Sequence, residues 1–283
     1  MRVSPHIVLL VVLCVICPAA FGAPAGAQKP IHEPSRIVSL SPAVTEMLFA
    51  LGLGPKVVGD TVFCDYPPAA KSIAKIGDST TNDERVIALR PDLVIVDTAT
   101  NTTAMAQLKR FPLKVLAIST FDYMGAERAL EAIGTATGSL DRAKLVVKKM
   151  EVQRTRAAAI ASKAPGRAPR VLVVVSTAPL WSAGAHTFVG DLITRAGGIN
   201  VAAGLNNYAP YSREAVLAAQ PDVVLVGKYD RAVFLKDPAM RALAAVKLGR
   251  VYTIADENII TRPGPRLGDG LLTIAHLLHP GSK

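Results

Sequence analysis

A thirteen-residue stretch occurs twice in this chain, and it limits the possible folds more than any other feature. Glu84-Arg-Val-Ile-Ala-Leu-Arg-Pro91-Asp92-Leu-Val-Ile-Val96 aligns without a gap on Glu214-Ala-Val-Leu-Ala-Ala-Gln-Pro221-Asp222-Val-Val-Leu-Val226, with seven of the thirteen positions identical. Each copy reads as a short helix with an acid in its first turn, then a proline that cannot continue the helix, then an apolar strand without polar alternation. A strand with no polar face has to be covered on both sides, as in a parallel sheet between layers of helix. The duplication therefore predicts two related lobes with pseudo-twofold symmetry.

The 283 residues, half of them hydrophobic, are enough for two domains with a core each. Arg2, an uncharged apolar run from Ile7 to Ala20 and the small residues Ala25-Gly26-Ala27 have the order of a secretory signal, with cleavage expected after Ala27 and a loose tail over 28–35. The export this implies makes the protein periplasmic. Cys14 and Cys17 leave with residues 1–27, so their C-x-x-C spacing carries neither redox nor metal chemistry, and Cys64 is left without a disulfide partner. An unpaired cysteine in an oxidising compartment is usually buried or at a ligand site. After the cut, 31 cationic side chains face 22 acidic ones, a net charge of +9. The densest basic run, Lys144, Lys148, Lys149, Arg154 and Arg156, has helical spacing and reads as a solvated helix face, and nucleic acid does not suit an exported chain with few aromatics.

Strand and helix signals alternate along the rest. Strands are expected at 36–40, 56–59, 73–76, 93–97 and 114–118, with helices at 43–51, 102–110 and 124–136, making an N-terminal lobe of 36–137. A segment over 138–166 follows, helical from 140 to 163, with Ser139 as its cap and Pro165-Gly166 as its stop. Twenty-four residues at about 1.5 Å each give roughly 36 Å, enough to run the height of both lobes. The C-terminal lobe, 167–283, repeats the alternation: strand 170–175, loop 176–186, helix 188–196, an aromatic loop at 208–211, the second repeat, residues 228–231 at its strand's carboxyl end where ligands tend to sit, strand 250–254, loop 255–265 and helix 267–278. The fold class is α/β, with two doubly wound, Rossmann-like lobes joined by one long rigid α-helix and a ligand cleft between the lobes.

The sequence lacks the commoner catalytic motifs: G-x-S-x-G, H-E-x-x-H, the P-loop, and a G-x-G-x-x-G that opens a helix. A hydrolase would have to use Ser41 or Ser176, and neither has a base in its sequence context. His276 and His279 read as a surface pair on the last helix, with no third ligand. Tyr66, Trp181, Tyr208 and Tyr211, four of fourteen aromatics, fall in Pro- and Gly-containing loops of both lobes. Aromatics converging from two sides favour a cleft that stacks on a flat or bulky ligand.

Arg36 to Glu46, Cys64-Asp65-Tyr66-Pro67, Glu84 to Val96, Ala196-Gly-Gly-Ile-Asn200, Ser212-Arg-Glu214 and Arg262-Pro-Gly-Pro-Arg266 together resemble the periplasmic substrate-binding proteins of ABC importers, within them the cobalamin and iron-chelate group. The resemblance implies a monomeric, non-enzymatic protein with no cofactor of its own, which captures a corrinoid and delivers it to a dimeric permease with its ATPase. Carried over by position, Ser41, Tyr66, Trp181, Tyr208 and Asp256 would contact the ligand, while Glu84 and Glu214 would dock on the permease. The stretch Gly77 to Thr80 and the loop after Asp97 lack the aromatics that cobalamin binders often carry there. Haem or a ferric siderophore thus stays open as the ligand, with Tyr66 and His186 as the residues that would reach a haem iron.

Overall fold

The computed structural model describes residues 33–78 and 82–282. The expected signal and its cleavage site at Ala27, Cys14, Cys17 and Ser79 to Thr81 lie outside the described residues. In the first lobe the chain runs β1 (Ile37–Ser39), α1 (Pro42–Ala50), β2 (Val57–Gly59), α2 (Asp83–Ala88), β3 (Leu93–Asp97), α3 (Thr102–Leu108), β4 (Val115–Ile118) and α4 (Tyr123–Thr137). α5 (Leu140–Lys163) follows. The second lobe holds β5 (Arg170–Val174), β6 (Ser176–Thr177), β7 (Leu180–Ala183), α6 (Phe188–Arg195), β8 (Ile199–Asn200), β9 (Tyr208–Pro210), α7 (Arg213–Ala219), β10 (Val223–Val226), α8 (Lys228–Lys236), α9 (Ala244–Lys247), β11 (Val251–Tyr252), α10 (Asn258–Thr261) and α11 (Leu267–Leu278).

Each lobe has a four-stranded parallel sheet. The orders, β2-β1-β3-β4 and β8-β5-β10-β11, are the same arrangement twice. Register repeats as well: Ile37 pairs with Leu93, and at the equivalent place Val171 pairs with Val223. β3 and β10 are buried along their whole length, as strands without a polar face must be.

The same local devices set both repeats. Arg90 (φ 46°) and Gln220 (φ 44°) end α2 and α7 in the left-handed region, and the proline that follows stops each helix. The next residue is the brace. Asp92 accepts from the Ser35 and Arg36 amides (2.7 and 3.0 Å) and from Ser35 Oγ (2.9 Å). Asp222 accepts from the Arg170 amide (2.7 Å) and from both terminal nitrogens of Arg167 (2.7 and 2.7 Å). Arg36 and Arg170 complete the symmetry by donating to the last carbonyls of the preceding helix, Leu89 (2.7 Å) and Ala219 (2.9 Å). Strand entry, helix exit and sheet register are thus tied in one knot per lobe.

α4 ends on Gly138 in the left-handed conformation (φ 70°), which lets α5 begin two residues later. α4 and α5 pack closely, since a Cβ at Gly134 would lie 2.7 Å from the Ala143 side chain. Ala143, Val147, Met150, Ala157 and Ile160 of α5 are buried against α4 and α11, and belong to one apolar core that includes β1 and β3 of the first lobe and β5 and β10 of the second. The connecting helix is therefore part of the interior as well as a strut.

Several expectations need correction. The strand at 73–76 is a single bridge, Asp60 to Lys75, after a 3₁₀ turn at Pro68–Ser72, and the same two residues form an ion pair. The loop 176–186 contains a hairpin, and with β9 it forms a small antiparallel sheet β6-β7-β9, so Trp181 and Tyr208 stand on strands. Lys228 to Arg231, after the second repeat's strand, form the first turn of α8, with Gly227 as its N-cap. His279 is buried, its Nε2 2.8 Å from the Ala196 carbonyl, so it is no surface partner of His276. No described helix is long and apolar enough to cross a membrane.

Asp222→Ala takes the acceptor from the Arg170 amide and the Arg167 guanidinium, and should cost about 1–3 kcal/mol in urea unfolding at neutral pH. Burial opposes ionisation of Asp222, but Arg167 and the Arg170 amide outweigh it and hold the carboxyl below its ordinary 3.8. This contribution is present above that value and is lost as the pH falls through the folded one, so the difference from wild type should shrink in acid. A variant as stable as wild type at neutral pH would remove Asp222 as a brace.

Candidate functional site

Two adjoining cavities open where open α/β sheets take ligands, at the carboxyl ends of the central strands. The first, about 180 Å³, is lined by Ser41 and Pro42 after β1, Asp97 at the end of β3, Thr100 and Asn101 beyond it, and Thr61, Phe63 and Asp78. The second, about 400 Å³, is lined by Val173 to Val175 at the end of β5, Val226 and Gly227 at the end of β10, Tyr252 of β11 and Ile254 after it, and Phe188, Tyr208 and Glu257. Thr100 and Thr261 line both, which makes them one cleft with a wall from each lobe.

The two walls differ in chemistry. The first-lobe wall sets hydroxyl, amide and carboxyl groups among apolar surface, and they are already organised: Ser41 caps α1 by accepting from Val44 N (3.3 Å), and Asn101 donates to the Leu40 carbonyl (2.7 Å). Asp97 is buried and accepts from the Thr120 hydroxyl and from the Ala99 amide (3.1 Å). Burial outweighs these bonds and pushes its carboxyl up. Behind this wall Thr45 and Thr61 each place a hydroxyl 3.2 Å from Cys64 Sγ; the thiol is buried, and burial raises its pKa. The second-lobe wall is apolar, with Phe188 and Tyr208 meeting edge to face at 6.4 Å.

Of the residues expected to meet a ligand, Ser41 and Tyr208 line the cleft. Tyr66 stacks on Arg266, whose guanidinium carbon lies 3.8 Å from the ring centroid, and Asp256 bonds the same guanidinium at 2.5 Å. Trp181 pairs with Pro210 in the small sheet and lines none of these walls. His186 lines a separate, polar cavity of about 600 Å³ with Phe121, Asp122, Asp191 and Asn207, so it and Tyr66 share no wall. Ser176 accepts only from the Ala178 amide (3.4 Å), and neither it nor Ser41 has a histidine partner among the described residues. Phe63, Asp97, Asn101, Tyr252 and Glu257 are cleft residues that motif reading missed. Asp97 and Tyr252 could have been found as the last residues of parallel strands.

An ionic cluster spans the lobes beside the cleft. Glu46 of α1, its side chain 2% exposed, accepts from Arg266 Nε and Nη2 (2.8 and 2.8 Å), and Arg262 Nη1 lies 3.5 Å away. A second buried pair, Lys75 to Asp60 at 2.7 Å, anchors the loop that carries Phe63 and Tyr66, since Lys75 also donates to the Cys64 and Ala70 carbonyls (3.0 and 2.9 Å).

Glu84 and Glu214 occupy equivalent first-turn positions on α2 and α7, behind the caps Asn82 and Ser212. Both are exposed, and neither forms an ion pair among the described residues. The neighbouring Arg213 is taken by Asp237 at 2.6 Å.

Two α/β lobes with a cleft at the carboxyl ends of both sheets have the architecture of the two-lobed binding proteins. The chain belongs to the periplasmic binding protein family, whose model matches residues 37–257. It is 33% identical over 259 residues to an uncharacterized ABC transporter substrate-binding lipoprotein of Bacillus subtilis, covering 88% of this chain and 81% of that one. It is 31% identical over 266 residues to a cobalamin-binding protein of Halobacterium salinarum, covering 87% and 70%. A periplasmic haem-binding protein from Pseudomonas aeruginosa has the same fold, with a TM-score of 0.80, 29% identity and coverage of 88% and 94%. The family consists of transport binding proteins, not enzymes.

Burial pushes the Asp60 carboxyl up to about 6 against the pull of Lys75. With the folded value above the ordinary 3.8, the folded state holds the proton more tightly, so this group's contribution to stability rises as the pH falls through 6. Asp60→Asn cannot titrate, so between about pH 7.5 and about pH 5 its urea midpoint should shift against it relative to wild type. A difference that is the same at both pH values would contradict the assignment.

Proposed function

We propose that this is an exported binding protein of the cobalamin and iron-chelate group, which captures a corrinoid between its lobes and delivers it to the permease of an ABC importer. The 31% identity to a cobalamin-binding protein supports the ligand class. The observation that carries the choice of corrinoid is the charge of the cleft. Its described charged lining includes the carboxyl groups of Asp97 and Glu257 beside Arg262, and Arg262 is already paired. A corrinoid presents a rim of neutral amides, which the hydroxyl and amide groups of the first-lobe wall suit. The propionates of haem would meet carboxylates in a partly desolvated site, where like charges repel strongly.

Titration calorimetry of the mature protein with cyanocobalamin, haemin and ferric siderophores should give tight binding of the first alone. Haemin binding without cyanocobalamin binding would replace this reading with the haem one. In the same assay Tyr208→Ala, which removes an aromatic from the apolar wall, should weaken cyanocobalamin by about 1–3 kcal/mol.

The permease contacts we assign to Glu84 and Glu214. Supporting this are their equivalent places in the two lobes, their exposure and their freedom from ion pairs, which leave two carboxylates for cationic side chains on two like permease subunits. Helix-end electrostatics alone accounts for only a few tenths to about 1 kcal/mol at each site. Glu84→Ala with Glu214→Ala should leave ligand affinity and the unfolding midpoint near wild type while uptake falls sharply. Unimpaired uptake would reduce both residues to helix-end electrostatics.

A further inference from the structure

Among the described residues lining the cleft there is one cation, Arg262, and it is occupied. Its Nη1 donates to Asp65 Oδ1 at 2.6 Å and its Nη2 to the Phe63 carbonyl at 3.3 Å, with Glu46 Oε1 a further 3.5 Å contact. The two acids on it differ in kind. Glu46 is buried and held by Arg266 as well, so its removal would strand charge in the interior. Asp65 is half exposed, on the loop just before Tyr66, while the Arg262 side chain is only 15% exposed. The hydrogen bond from Arg262 holds the Asp65 carboxyl below the ordinary carboxylate range, so it is charged at neutral pH. An anionic ligand would have to displace Asp65 from Arg262 and would still face Asp97 and Glu257.

We propose that Asp65 is a specificity-determining residue: by claiming Arg262 it bars ligands that carry carboxylates and reserves the cleft for neutral, amide-fringed macrocycles. This rests on the reading of the cleft as the ligand site, but not on which metal the macrocycle holds.

Cyanocobalamin and its rim monocarboxylic acids, in which one amide is hydrolysed, differ by one charge at nearly constant shape. Wild type should bind the amide about tenfold or more tightly than the most disfavoured acid. Asp65→Asn should bring that ratio near one by improving the acid, with circular dichroism and the affinity for the neutral ligand reporting that the variant is folded. Asp65→Ser serves as the second variant. Arg262→Gln, which leaves the acids in place, should keep the wild-type ratio or widen it. A wild-type ratio near one, a ratio unchanged in both Asp65 variants, or one that collapses in Arg262→Gln overturns the proposal. If cyanocobalamin does not bind, the corrinoid reading fails by itself, and haemin against its dimethyl ester decides the present point. A preference for the ester that Asp65→Asn removes supports it, and a wild-type preference for the diacid overturns it.

Discussion

The structure depends on two strands, β3 and β10, being covered on both faces. An apolar strand in the middle of a parallel sheet cannot be left to water, so each needs helices above and below it and paired strands on either side. That requirement sets the layers of each lobe and leaves the carboxyl ends of the strands as the place where backbone groups are still unpaired and a ligand can approach. The Asp92 and Asp222 braces fix where each strand starts, and hence which residues reach its far end: Asp97 in one lobe, Val226 and Gly227 in the other. The cleft is in this sense a product of the turn that follows each proline.

What joins the lobes matters as much as what builds them. One face of α5 is buried against α4 and α11, and one apolar core passes along it from β1 to β5. The Glu46–Arg266 pair adds a charge-assisted link across 220 residues of sequence, and Asp191 of α6 accepts the Tyr123 amide of α4 at 2.9 Å. A large hinge motion would break all three, and splitting a buried pair is expensive because it strands a charge. The two walls therefore face each other in one arrangement, which suits capture of a rigid ligand of fixed size.

Much of this was legible in the residues because it is local. The repeat contains its own helix start, stop and strand, so both sheets and their equivalence follow from it, and α5 and α11 have the expected bounds, although Ser139 meets the Thr137 hydroxyl and makes no side-chain cap bond. The misses are where a distant partner decides. Lys75 has strand-like neighbours, yet its ammonium is drawn inward by Asp60. The β6–β7 hairpin is too short to show alternation, and it moves Trp181 from the expected loop to a strand. Asp65 and Arg262 are 197 positions apart, and nothing near either one names the other. The aromatics were found by type, but which of them faces the cleft depends on strand ends, and so Tyr208 was found and Tyr252 was not.

The central claim is that one ligand touches the carboxyl ends of both sheets at once. Hydrogen–deuterium exchange with and without saturating cyanocobalamin tests this without mutation. The account predicts slowed exchange in the segments after β1 and β3, around Ser41 and Thr98 to Asn101, together with those after β5 and β10, around Val175 and Gly227. Protection confined to one lobe, or centred on the cavity at His186 while these four segments stay unchanged, would contradict it.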